Sequence, residues 1–380
     1  LRTPVRHSLA IALLISAAVS ARAAAQGTLS TQGFGYPPGQ LSTRATSLGG
    51  GIGETDPLSP INPAAISDWI RSGLYLQYSP EYRSVESASG ADNTMTVRFP
   101  VIMGAVTAGN RVVIGLSTST LLDRTWETSR VGFTHSGADS TRFQEDFTSS
   151  GAINDIRLGV AFAITPSLWI GAGGHVFSGD DRLRISRISD DTTETPFLQQ
   201  SRLSYSGTGL SGGVTWRPTP ALSLGASGRV GGKIETFRND TSLTRADVPA
   251  RWGVGASFSG VSGLLIAARA NWEGWSSIGD LGRPGLGVTD AWDMGGGVEI
   301  NGPLFFGLTL PLRAGYRHRT LPFTVGDAKI VENSFSFGVG IPVSGGRSRI
   351  DLGAERANRG SVSGVTEKAW ILSAGFMVRP

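Results

Sequence analysis

"SFSFGVGI", residues 334–341, puts Phe335, Phe337, Val339 and Ile341 on one side of a two-residue alternation and only serine or glycine on the other. An extended strand sends successive side chains to opposite faces, so one face here is bulky and the other nearly bare. The rule recurs. "DIRLGVAFAI" (155–164) opposes Ile156, Leu158, Val160, Phe162 and Ile164 to Asp155, Arg157, Gly159 and Ala161. "LSLGASGRVG" (222–231), "RWGVGASFSG" (251–260), "AWDMGGGVEI" (291–300), "LTLPLRAGYRHR" (308–319) and "AWILSAGFMV" (369–378) behave alike. Helical spacing fits none of them better than a period of two.

From Leu74 onward there are about fourteen such segments, each near the ~9–11 residues that a tilted strand needs to cross a bilayer. The segment "TMTVRFPVIMGAV" is irregular at Pro100, which has no N–H to give to a ladder, so a break is expected there. Connections at 108–110, 165–167, 217–221, 260–263, 301–307 and 344–348 are short. Those at 80–93, 121–152, 179–200, 236–250, 273–290, 318–331 and 357–366 are longer and polar. Tight turns on one side and long loops on the other are the mark of an outer-membrane barrel.

Composition agrees. The 380 residues include 53 glycines, no cysteine and only 17% charged residues. A soluble sheet normally wets its polar face with Lys, Glu and Thr, and glycine weakens strands. Small residues with isolated charges suit an enclosed interior instead. Trp169, Trp216, Trp252, Trp292 and Trp370 lie near strand ends, where interfacial aromatic girdles form. The fold expected is therefore all-β: a transmembrane antiparallel barrel of about 14 strands at residues 70–380, with its bulky face in lipid.

Two other segments precede it. Residues 1–25 carry Arg2, Arg6 and His7, then an apolar run from Leu9 to Val19, and close in an A-x-A site at Ala25. This pattern predicts a cleaved export signal. Its removal takes three arginines and no acid, lowering the net charge from +4 to near +1 and leaving no case for a nucleic-acid partner. No apolar run long enough for a transmembrane helix remains. Residues 26–69 show no clean alternation and are rich in Gly, Pro and Ser, a composition suited to a plug in the lumen.

Within that stretch, "RATSLGGGIGETDPLSPINPAAIS" resembles the N-terminal hatch of FadL-type long-chain fatty acid transporters and their TodX-like relatives. Asn62, Pro63 and Ala64 occupy the family's Asn-Pro-Ala motif before the first strand, and Gly49 and Gly50 lie in the glycine-rich lead. "RAGYRHRTLPF" and "ENSFSFGVGI" resemble its late strands. Two departures stand out: "ETDPLSP" replaces the usual acidic-small run, and Phe376 falls four residues short of an aromatic terminus. The resemblance implies an outer-membrane channel of a Gram-negative-type bacterium that takes up hydrophobic or amphipathic, fatty-acid-like molecules past a movable hatch. A PorV-like secretion or assembly partner barrel has a similar hatch pattern and is the alternative.

The candidates for a lumenal ligand site are the inward-facing Arg157, Arg229, Arg251, Arg269, Arg313 and Arg317, which either pair with Asp293, Glu299 and Glu355 or meet a ligand carboxylate. Nothing marks an enzyme. His135, His175 and His318 have no metal-ligand spacing, so neither metal nor cofactor is expected. "SGDD" (178–181) and "ISDDTTET" (188–195) read as solvated loops. Besides the small molecule, the partners expected are membrane lipid and lipopolysaccharide. The oligomeric state is left open.

Overall fold

The computed structural model describes residues 29–379 apart from Ile70, Ser89, 137–138, Thr192, 283–284, 306–307, 344–346 and Ser363. The expected signal segment, 1–25, lies outside them. The strands are β1 (Gly73–Ser87), β2 (Gly90–Arg98), β3 (Val101–Ala108), β4 (Val112–Asp123), β5 (Trp126–Ser136) and β6 (Asp139–Thr165). Next come β7 (Leu168–Ser189), β8 (Phe197–Thr219), β9 (Leu222–Arg238), β10 (Thr241–Asp247), β11 (Arg251–Val261) and β12 (Leu264–Glu273). The series ends with β13 (Gly287–Val288), β14 (Ala291–Phe305), β15 (Leu308–Thr320), β16 (Phe323–Thr324), β17 (Val331–Val343), β18 (Ser348–Val362) and β19 (Val365–Val378).

Seventeen of these form one sheet, and β13 pairs separately with β16. Three staves are interrupted, as β2/β3, β4/β5 and β10/β11, so the sheet is a closed antiparallel barrel of 14 strands. Closure runs from Leu74↔Val378 up to Glu86↔Thr366 between β1 and β19. A closed sheet has no free edge, which is what lets strands cross a bilayer.

The orientation is inside-out relative to a soluble protein. Ile156, Leu158, Val160, Phe162 and Ile164 are 40–57% exposed, while Asp155 and Arg157 on the opposite face are 1% and 2% exposed. Phe335 and Phe337 are both 59% exposed, and Ser334 and Ser336 are buried. Bulky side chains meet hydrocarbon and the charged ones face an enclosed interior. Trp252, Trp272 and Trp292 stand in register across β11, β12 and β14, and Trp216 and Trp370 also face outward. Trp169 does not join this girdle: it turns inward onto a cluster containing Leu58, Ile66 and Trp69.

The strands are longer than the sequence pattern predicts. β6, β7 and β8 run 27, 22 and 23 residues, through stretches expected to be loops. At ~3.4 Å per residue such strands rise far above a ~25 Å apolar band. Above the lipid neither face needs to be greasy, so the alternation that marks the lower halves fades. Consequently 178–181 is strand, and Asp181 is buried against Arg124, with the guanidinium Nη2 3.1 Å away. His175 lies well inside β7, inward and 5% exposed.

Residues 29–69 descend through the interior, with their buried side chains bonded to inward-facing residues of many strands. Bare strand faces make room for this chain. A Cβ on Gly315 would strike the backbone of Leu48 and Gly49, and one on Gly338 would strike Ser47. Gly49 itself has φ +61°, where side-chain-bearing residues are strained.

Candidate functional site

From the short-turn end upward, the interior is built in tiers. Asn62 caps the 3-10 turn Pro63–Asp68: its Oδ1 accepts from Ala64 N at 2.9 Å, and its Nδ2 donates to Glu54 O at 2.8 Å and Val214 O at 3.1 Å. The Pro63–Ala64 backbone lies against Gly171 of β7, and Asn62 against Gly213 of β8. A larger residue at either glycine would push the turn away. Gly49 N donates to Ser336 Oγ on β17 at 3.1 Å.

The next tier holds the six candidate arginines. Arg251 pairs with Glu54 of the descending segment and donates to Ser227 Oγ at 2.9 Å. Arg269 and Arg317 share Asp293, Arg317 through Nε and Nη2 at 2.7 and 2.8 Å. Arg313 donates to Glu299 and Asp351, each at 2.6 Å, and Arg44 reaches the same Glu299 at 2.8 Å. Arg229 meets Asp155 at 3.3 Å. Arg157 differs. It is 2% exposed, its Nε and Nη1 have no hydrogen-bond partner, and no carboxylate pairs with it among the described residues.

Beside Arg157, β6, β7 and β8 bring Asp155, His175 and Ser211 together. Asp155 Oδ1 and His175 Nδ1 are 2.6 Å apart, and His175 Nε2 and Ser211 Oγ are 2.8 Å apart. Gln40 of the descending segment donates to the other Asp155 oxygen at 2.9 Å.

Higher still, Arg83, Arg98, Arg319 and Arg359 surround the Tyr36 ring, with guanidinium carbons 4.4–5.9 Å from its centroid. Glu81, Asp123, Glu332 and Glu367 neutralise them. None of these residues was among the sequence candidates. Their signal was present as charge at period two, Glu81/Arg83, in a stretch read as a loop. Around the same level Phe34, Ile153, Phe177, Tyr205, Trp275 and Phe323 form an apolar cluster under the outer mouth.

The ladder is interrupted beside β2. β2 ends at Arg98 and β3 begins at Val101, so Phe99 and Pro100 belong to neither strand, although the Pro100 carbonyl still accepts from Thr120 N on β4 at 3.3 Å. Above this point β2 pairs along β1 and β5 along β6, and no pairing joins β2 to β5 among the described residues. A small cavity lined by Gln77, Ser79, Arg98 and Pro100 adjoins the gap from inside.

This arrangement, a buried N-terminal segment inside 14 strands, is matched by solved structures. A Pseudomonas aeruginosa FadL homologue superposes with TM-score 0.62 at 14% identity, over 91% of this chain and 99% of that one. The fold is the FadL-type barrel. The Pseudomonas putida toluene transporter TodX matches this FadL-type fold with TM-score 0.58 at 14% identity over 90% of this chain and 98% of its own. The Ralstonia pickettii toluene transporter TbuX gives 0.58 at 15% over 89% and 98%. The family model described as BamG matches residues 305–375, within the late strands of the FadL-type barrel. No curated protein matches in sequence.

Proposed function

We propose that the protein is an outer-membrane channel admitting hydrophobic or amphipathic small molecules, with residues 29–69 as its hatch. The observation that carries this reading is the order of chemistry inside the barrel. The apolar cluster under the mouth includes Phe177, which stacks on His175, and the unpartnered Arg157 lies one step further on. An apolar molecule with a polar end finds first a greasy site and then a guanidinium whose N–H groups are unspent. That structural relatives include toluene transporters supports a small hydrophobic cargo. The gap between β2 and β5 offers a sideways exit into lipid.

The test is permeation of toluene and laurate into liposomes carrying the protein. Both should cross faster than through empty vesicles, and deleting residues 30–65 should raise leakage of small hydrophilic solutes. Leakage unchanged by the deletion would remove the hatch, and cargo flux equal to that of empty vesicles would remove the channel. Extraction as a barrel-sized particle, rather than a large stable complex, separates this reading from a secretion partner.

A further inference from the structure

We propose that the lumen carries a hydrolase site for acyl esters, with Ser211 as nucleophile, His175 as base and Asp155 as the acid that orients it. Ser211 is the serine of a G-x-S-x-G run, 209–213, set inside β8 rather than on a strand-to-helix turn, and the register brings the other two residues to it from neighbouring strands: Arg157↔His175↔Gly209 and Gly159↔Gly173↔Ser211.

The geometry has the parts that acyl transfer needs. An ionised Asp155 accepts the Nδ1 proton of His175 at 2.6 Å, which leaves Nε2 free to accept the Ser211 hydroxyl proton at 2.8 Å. Asp155 is 1% exposed, and its second oxygen is held by Gln40 and Arg229, so it cannot swing away from the imidazole. The Phe177 ring stacks on His175 with centroids 5.9 Å apart and 11° between planes, fixing the imidazole from its other side. Asp155 and His175 are buried, and Ser211, the half-buried member, is the one open to the lumen.

Arg157 supplies the remaining part. A Cβ on Gly173 would stand 2.8 Å from Ser211 Oγ and 3.2 Å from Arg157 Cδ, so the hydroxyl and the arginine converge on one glycine-bared notch. The Nε and Nη1 donors of Arg157 have no partner, Nε stands 3.7 Å from where a Cβ on Gly159 would be, and Gly159 is the register partner of Gly173, so these donors are assigned to the oxyanion. The apolar cluster that begins at Phe177 suits an acyl or aromatic tail.

In the first step Ser211 Oγ bonds to the ester carbonyl carbon while its proton passes to His175 Nε2, and the carbonyl π pair moves onto oxygen facing Arg157. Collapse breaks the ester C–O bond, and the alcohol leaves with the proton held by His175. Water, giving a proton to the same nitrogen, then cleaves the acyl-serine and releases a carboxylic acid. No electrons are exchanged with an outside reagent.

The test uses the full-length folded barrel in detergent, with heat-modifiable gel mobility as the check on folding. A biotinylated fluorophosphonate should label the native protein, and peptide mapping should place the label on Ser211. Turnover of p-nitrophenyl laurate should fall at least ~100-fold in Ser211→Ala and in His175→Gln. Two results overturn the proposal: a folded wild-type protein that takes no label at Ser211, or ester turnover that persists undiminished in folded Ser211→Ala. Neither result bears on permeation, so the channel reading stands or falls separately.

Discussion

The Tyr36 tier and the Arg157 notch are both buried and both rich in arginine, yet they are finished differently. Around Tyr36, four arginines meet Glu81, Asp123, Glu332 and Glu367, and the charge is closed off. At the notch, Arg157 has no carboxylate within pairing distance, and a serine and a histidine stand beside it instead. Burying an unpaired ion costs several kcal/mol, which a fold does not tolerate without return. The contrast separates charge that holds the molecule together from charge held ready for something else.

The comparison breaks most visibly at Arg359, which is 0% exposed and bonded to Glu81, Glu332 and Glu367. Arg359→Ala takes one cation from those three acids, which keep Arg83, Arg98 and Arg319, and should cost about 3–5 kcal/mol, read from urea unfolding in detergent micelles. A loss under about 1 kcal/mol would mean that the tier is not a clamp. Gly315→Leu is next. Its side chain would occupy the space of Leu48 and Gly49, so a cost of about 1–3 kcal/mol should come with raised solute leakage. Stability lost without leakage would show that the segment stays seated.

Arg157→Met sharpens the contrast from the other side. Removing a lone buried charge should leave stability within about 1 kcal/mol of the parent or slightly above it. Laurate permeation should fall several-fold more than toluene permeation, and equal falls would deny the guanidinium a role in recognising a polar end. Smallest of all is Lys233→Ala, which breaks the exposed pair with Asp247 at 3.2 Å. Its expected effect is under about 1 kcal/mol, measured by the same unfolding curves.

How far the sequence could be read follows the lipid boundary. Where strands cross hydrocarbon, the alternation of Ile156, Leu158 and Val160 with Asp155 and Arg157 fixed both the barrel and its inside-out sense. Where strands rise clear of it, as in the upper parts of β6 and β7, both faces are polar and the same residues read as loop. That is why Glu81 and Arg83 went unnoticed although their spacing is regular. Trp169 shows another limit: strand-end position alone does not say which way an indole points. The Asp155–His175–Ser211 contact was beyond reach for a different reason, because register between strands is set by closure of the whole sheet and by no local pattern.

One contact ties that closure to the interior. Ser30 gives its backbone N–H and its hydroxyl to Glu367, which stands on β19, the strand that also zips onto β1. The closing stave thus carries the anchor for the first described residues of the chain. A cylinder sealed while vacant would leave Glu367 without either Ser30 donor, so the seating of the interior segment and the closing seam draw on one carboxylate.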